Sequence, residues 1–424
     1  MLAGFAKADI TPSVGTDLTG YLARTNPSLG VHDPLYCRAF VLGDGDAQAA
    51  LIQTDTLGFG LEYTRQVKQC LEAETGIPAG NIMLAGTHTH SGPATVFLQD
   101  CGDIAIGYLA ELPMRIVAAV RAAQADLSPV EMTIGKVQVP GIAVNRRDRA
   151  NGPLDEELTV LGLREPTGAV RAALLHFTCH AVVLGGDNRL ISADFPGAAC
   201  TTWEHETGAP CLYLQGPCGD INPIRHGGSF IDVEKTGVQL AQAAVSAVGQ
   251  AEAISLGHLA AQSKCLRLPL GPLPSFADLI AFREQQLAGA GEVEDQFKQV
   301  QAKVSQAMVH WAERTIASYC SGLLKTEVEA EIQCFELGDQ LLIAVPGELF
   351  VEFGLEAKRL AAQAGKHALM VAYANGDIGY IPVPSSYEKG GYEIEWAYRY
   401  YGYPAPLLSQ AGEMVRAAIA EFIR

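Results

Sequence analysis

The sequence predicts an α/β protein of several layers, with mixed β-sheets flanked by helices, and three observations carry that prediction. Short apolar runs of strand length, such as residues 82–85 and 169–177, recur along the chain. Between them lie stretches with helical periodicity, such as residues 62–74, and strand, helix, strand is the unit of a sheet covered by helices. Finally, 48% hydrophobic residues against 18% charged over 424 positions supply a large core and give no sign of disorder.

Taken in order, Asp9-Ile10-Thr11-Pro12 and Gly20-Tyr21 read as loops around a short first strand. Residues 36–42 and 49–54 follow as paired strands that turn at Gly43-Asp44-Gly45-Asp46. A helix over 62–74 stops at Gly76, with Pro78 just beyond. Strand 82–85 then delivers Gly86-Thr87-His88-Thr89-His90-Ser91-Gly92. A helix over 108–126 contains Pro113 as a kink or a start. Strands at 132–139 and 158–163 bracket Asn145-Arg146-Arg147-Asp148-Arg149, and strand 169–177 leads to Cys179-His180-Ala181. After the helix opened by Ile191-Ser192-Ala193-Asp194, strand 211–215 runs into Gly216-Pro217-Cys218-Gly219-Asp220-Ile221-Asn222-Pro223.

A helix over 233–249 and one or two strands over 253–268 come next. Residues 275–321 shift to Glu, Gln, Ala and Lys at helical period, which predicts two helices parted near Gly289-Ala290-Gly291. That segment reads as a helical insertion that caps a site, or as a packing arm or oligomer contact. Strands 326–337 and 340–345 precede Pro346-Gly347-Glu348 and a helix over 349–364. Strand 367–373, a tract rich in Tyr and Gly to Tyr403 and a final helix over 405–423 close the chain.

The net charge of -17 repels phosphate backbones and anionic lipid, which excludes nucleic acid as a partner. No apolar run of about 18 residues predicts a transmembrane segment. The amino terminus has neither a basic region nor a sustained apolar one, so the expected location is cytoplasmic. Ten cysteines without C-x-x-C pairing imply reduced thiols. The glycine-rich loop at 216–223 lacks a P-loop Lys-Ser/Thr and a G-x-G-x-x-G, so nucleotide binding is not supported.

His88 and His90 stand two apart where a buried strand gives way to a loop, and extended backbone sends alternate side chains to one face. They read either as polar residues at a strand end or as metal ligands and proton shuttles. His180 and Glu348 repeat the placement after apolar strands. The bland alternatives are a satisfied core histidine and a carboxylate capping a helix. Two histidines and a carboxylate together compose a mononuclear zinc site with a position open for water. The arginine-rich loop is either a solvated turn or a clamp for a carboxylate or oxyanion.

The ordered set Ala8-Asp9-Ile10-Thr11, Gly20-Tyr21, Gly86-Thr87-His88-Thr89-His90-Ser91-Gly92-Pro93, Asn145-Arg146, His180-Ala181, Ile191-Ser192-Ala193-Asp194, Gly219-Asp220-Ile221-Asn222-Pro223, Pro346-Gly347-Glu348 and Gly379-Tyr380-Ile381 resembles the neutral/alkaline ceramidase family. The resemblance implies a zinc-dependent amidohydrolase and a single catalytic domain over 1–424, with 275–321 inserted and no further β-sandwich domain. It also implies that His88, His180, Glu348 and Tyr380 hold Zn2+. His90 is implied as the acid/base for the attacking water and the leaving amine. Arg146 is implied to face the acyl carbonyl or carboxylate, and Tyr392 to donate to the tetrahedral oxyanion.

Asn222 stands where the family's Gly-Asp-Val-Ser-Pro motif places an active-site serine. That departure, the missing β-sandwich and the absence of a visible secretion signal favour a smaller, soluble amide over ceramide. Hydrolysis of a lactone, cyclic amide or ester uses the same attack on a carbonyl and is the second enzymatic reading. A non-catalytic homologue that binds a metal or a metabolite is the third.

Overall fold

Three larger sheets, of five, five and four strands, organise residues 1–254, 257–289 and 296–424, which this computed structural model describes. In the first, the order is Ile82–Gly86, Gln48–Thr54, Tyr36–Gly43, Leu2–Asp9 and Ser128–Pro129. In the second it is Cys211–Gln215, Val170–Phe177, Glu157–Arg164, Glu131–Gln138 and Glu252–Ala253. The third runs Leu259–Pro269, Glu327–Leu337, Gln340–Ala344 and His367–Val371. This is the mixed-sheet α/β class the sequence predicts.

Every residue of Ile82–Gly86, Cys211–Gln215 and Gln340–Ala344 is buried, because these strands are covered on both faces and so read as continuous apolar runs. Phe40, Met83, Leu174, Leu214, Leu342 and Leu369 come from all three sheets and share one core. On the other face of the first sheet, Val41 and Ile52 pack with Val67, Leu71, Ile116 and Val120 of the covering helices Leu61–Thr75 and Ile106–Ala125. Helices Asp194–Thr207 and Phe230–Gly249 cover the second sheet, and Val351–Gln363 and Ser409–Ile423 the third.

Each sheet carries one parallel pair at its edge: Gln48–Thr54 with Ile82–Gly86, Val170–Phe177 with Cys211–Gln215, and Gln340–Ala344 with His367–Val371. Both strands of a parallel pair end on the same side, and hydrogen bonds stitch the three carboxyl-terminal ends together. Gly86 N–H donates to Tyr373 O at 3.1 Å, Ala372 N–H to Gln215 O at 2.9 Å and Asn375 N–H to Leu84 O at 2.7 Å. Gln215 Nε2 reaches Thr87 O at 3.1 Å. The residues that follow these strands are thereby forced into one small region.

Three expectations change. The first strand is not short: Leu2–Asp9 pairs along its whole length with Tyr36–Gly43. Its small residues hide the strand signal but serve packing, since a Cβ on Gly4 would lie 2.0 Å from Ala123 O of the helix above. Pro113 lies inside helix Ile106–Ala125 without ending it. Glu348 belongs to a two-residue strand, Glu348–Leu349, and the helix begins only at Val351.

Helices Phe276–Gly289 and Gln296–Cys320 pack around Leu279, Trp311 and Ala312, while Ala290 and Gly291 of the expected break lie outside the described residues. The longer helix fastens onto loops near the strand ends through Lys303 Nζ to Ala23 O at 3.0 Å and Trp311 Nε1 to Tyr403 O at 2.7 Å. Among the described residues no helix is long and apolar enough to cross a membrane.

Candidate metal centre

His88, His180 and Glu348 each follow the end of a strand from a different sheet, and all three are buried. His88 N–H donates to Thr56 O at 2.9 Å. Its φ of 64° is left-handed, a conformation that costs a non-glycine residue on the order of 1–3 kcal/mol and clusters at functional sites. The convergence of His88 and His90 therefore comes from a turn and not from the pleat of an extended strand. Gly86 permits the close approach, because a Cβ there would sit 2.9 Å from Thr56 O.

The two outer histidines are oriented alike. His88 Nδ1 lies 2.8 Å from Leu57 O and His180 Nδ1 lies 2.6 Å from Cys218 O. A ring nitrogen that donates to a carbonyl leaves the other with its lone pair, the arrangement that metal-binding histidines show. His180 Nε2 is 3.0 Å from Glu348 Oε2, and His88 Nε2 is 3.6 Å from the same oxygen. Burial, against the pull of Glu348, pushes His88 down to about 3. For His180, burial is outweighed by Cys218 and the Glu348 carboxylate, which push it up to about 10. Glu348 falls to about 2: burial opposes this, but His180 and His88 overcome it. A cation held by these residues would take the place of a proton between His180 and Glu348.

His90 differs from both. Its nitrogen lies within 4.8 Å of ligand atoms on His88 and His180, so the three histidines form a cluster able to hold a metal ion. Yet both of its ring nitrogens are buried without a hydrogen-bond partner. Its imidazole is pressed against Gly20, where a Cβ would meet Nδ1 at 2.3 Å, and its ring centre is 5.0 Å from that of Tyr21. The Gly20-Tyr21 element thus shapes the His90 side of the site. Burial, then the neighbouring His88 and His180, hold the His90 imidazole far below its usual range.

Glu348 and Tyr380 are direct partners in the parallel pair Glu348–Leu349 with Tyr380–Ile381, which brings Tyr380 to the same place. The free side of the carboxylate is taken by a residue that sequence reasoning missed: Tyr401 Oη donates to Glu348 Oε1 at 2.5 Å. Gly379 makes room for it, because a Cβ there would lie 2.7 Å from the Tyr401 ring. A glycine just before Tyr380 was the one available signal.

Arg146 leaves strand Ala143–Asn145 and is held by Glu393, with Nε to Oε1 at 2.8 Å. Its Nη1 reaches Asn222 Oδ1 at 3.4 Å, and its Nη2 is buried without a partner. The guanidinium lies 5.2 Å from the Tyr380 ring centre. Asp220 fixes this loop by accepting from Val351 N–H and Asn145 Nδ2, both at 2.8 Å. Tyr392 is 47% exposed, with its ring centre 5.9 Å from that of Tyr380.

One cavity of about 140 Å³ is lined by His88, His90, Glu348, Tyr380, Tyr392 and Tyr401, among others. His180 joins it through Glu348. Arg146 lines the neighbouring cavity, across Tyr392, and Asn222 is reached through Arg146. The residues named from the sequence thus form a single constellation.

Fold and site together define a protein of mixed α/β architecture with a histidine cluster able to hold a metal ion. The chain belongs to the neutral/alkaline non-lysosomal ceramidase family, whose amino-terminal family model matches residues 1–253 and whose members hydrolyse an amide bond. The neutral ceramidase of Pseudomonas aeruginosa is 25% identical over 92% of this chain and 68% of its own length. That of Mycobacterium tuberculosis is 24% identical over 91% of this chain and 72% of its own. Neutral ceramidase A of Dictyostelium discoideum is 30% identical, but the match covers 53% of this chain and 36% of that protein. The crystal structure of the Pseudomonas aeruginosa neutral ceramidase superposes with a TM-score of 0.77 at 21% identity, covering 100% of this chain and 74% of that one, a likeness of fold.

Proposed function

We propose that this chain is a zinc-dependent hydrolase of amide (N-acyl) bonds. One observation carries the reading: His88 and His180 each have Nδ1 turned to a carbonyl and Nε2 turned to Glu348, while His90 beside them keeps both nitrogens free. His88, His180, Glu348 and Tyr380 would hold the ion. Zinc, when bound, lowers the pKa of water to about 7 and polarises a carbonyl.

The chain's own residues do the rest. His90, with both ring nitrogens free of partners, accepts the proton of the attacking water and returns it to the leaving nitrogen. Arg146 Nη2 and the Tyr392 hydroxyl donate to the developing oxyanion, a role that in other enzymes is worth roughly 3 kcal/mol per donor. Asn222 and Glu393 position Arg146, the first as an acceptor and the second as its counter-charge. We read helices Phe276–Gly289 and Gln296–Cys320 as an insertion in one catalytic unit. The ten free thiols fit a reducing, cytoplasmic setting.

The test is hydrolysis by zinc-loaded protein of amides, esters and lactones that share one acyl group. Amide cleavage abolished by a chelator and restored by zinc is expected. Cleavage confined to lactones or esters, or amide cleavage indifferent to chelation, would overturn the proposal.

A further inference from the structure

The task given to His90 depends on aim, yet among the described residues no hydrogen bond aims its ring. His88 and His180 are each oriented through Nδ1, whereas both nitrogens of His90 are without partners. A histidine base is ordinarily held by a partner on its second nitrogen. Here the hold has to come from packing and from the main chain.

Both lead to one side chain, Arg24. It is 8% exposed, and among the described residues its partners are all backbone carbonyls. Nη1 donates to His90 O at 2.8 Å and to Thr19 O at 2.9 Å, which ties the main chain of His90 to the loop that follows Thr19. The next residue of that loop, Gly20, is the surface against which the His90 imidazole lies. The one after it, Tyr21, has its ring centre 5.0 Å from that of His90 and 5.2 Å from the guanidinium. Tyr21 Oη is itself anchored on Leu184 O at 2.9 Å.

The rest of the guanidinium reaches a third loop. Nη2 donates to Gly185 O at 3.3 Å and Nε to Asn188 O at 2.8 Å. Asn188 Nδ2 in turn donates to Ser91 Oγ at 2.9 Å, one residue past His90. A planar fork of donors can hold three loops around a single imidazole, which the point charge of a lysine cannot. The placement is costly, since burial pulls the guanidinium down to about 10. Gly20 and Leu22 line the cavity at the histidines, but Arg24 borders the neighbouring one of about 490 Å³. It therefore acts through His90 and not on the reacting atoms.

Resting on the amide-hydrolysis reading, we propose that Arg24 is a positioning residue for the reaction. It sets where the His90 imidazole stands, through the His90 carbonyl and the wall formed by residues 19–21, and leaves the metal ligands undisturbed.

The experiment compares Arg24→Met with the parent, both loaded with zinc, on an amide that the parent cleaves. A misplacement of about 1 Å costs on the order of 10²-fold in rate, so kcat should fall by about 10–100-fold. KM and zinc affinity, the latter from competition with a chromophoric chelator, should stay within about twofold. Introduced into His90→Ala, the same change should cost nothing further, because the group it positions is gone. Arg24→Lys, which keeps the charge but not the fork, should lose less, and is read alone should Arg24→Met fail to fold. Crystal structures of parent and variant should show the His90 ring displaced and those of His88 and His180 in place. Unchanged kcat, an equal loss with and without His90, weakened zinc binding or an unmoved His90 ring overturns this inference alone. A parent that cleaves no amide overturns the amide-hydrolysis reading, and the role of Arg24 in the reaction with it.

Discussion

His88 and His90 are two residues apart, with ring centres separated by 4.9 Å, yet their surroundings are unlike. The His88 ring is stacked on Tyr373 at 3.8 Å, and its Nδ1 is tied to a carbonyl. His180 and Glu348 beside it are tied in the same way, through Cys218 and Tyr401. The opposite wall holds His90 and Arg146, which keep two ring nitrogens and Nη2 without partners, and the half-exposed Tyr392. One wall has its polar atoms fixed in advance, as ligands to an ion require. The other has donors and acceptors in reserve, as groups that handle a proton and a transient charge require.

The sharpest way to break this comparison is to treat both histidines alike. His88→Ala should lose bound zinc and, with it, all measurable turnover. His90→Ala should retain zinc and lose roughly 10²–10⁴-fold in kcat. Metal content by elemental analysis on each purified variant, read beside kcat, separates the two. Equal metal loss in both variants would mean that the three-histidine cluster, and not the set containing Glu348, holds the ion.

A smaller effect sharpens the fixed wall. Tyr401 touches Glu348 only through its hydroxyl bond at 2.5 Å, on the oxygen turned away from the histidines. Partners of this kind orient a ligand, and their loss typically costs about 10–100-fold in metal affinity. Tyr401→Phe should weaken zinc by that factor in a competition titration with a chromophoric chelator. An unchanged affinity would reduce Tyr401 to packing.

Much of this wall was legible in the sequence because buried parallel strands are continuous apolar runs, and His88, His180 and Glu348 stand just after such runs. Their convergence was not legible. It depends on backbone bonds such as Ala372 N–H to Gln215 O, which any residue could make. The roles of His88 and His90 were not legible from spacing either, since the left-handed backbone at His88 breaks the period-two rule. Within the sequence only the family resemblance divides them. Tyr401 escaped because Tyr398, Tyr400 and Tyr403 surround it with the same chemistry, and only the fold selects the one that faces the carboxylate.

The smallest expected effect lies behind the fixed wall, at Asp377, and is one of stability. This carboxyl is 5% exposed and accepts from Gly379 N–H at 2.9 Å, holding the turn that leads to Tyr380. Burial, and then the negative Glu348, push it from the ordinary 3.8 up to about 8. Below about pH 4 the folded and unfolded chains both keep this proton, so its contribution to stability is fully present. Between pH 4 and 8 the unfolded chain releases the proton while the fold retains it, and stability declines until the folded carboxyl also ionises. Asp377→Asn removes the titrating group while keeping the acceptor oxygen for Gly379. Thermal melts of zinc-free protein from pH 5 to 8 should therefore fall less steeply in Asp377→Asn than in the parent. Parallel melting profiles would show that Asp377 is ionised in the fold, and that the wall behind Glu348 carries a second negative charge.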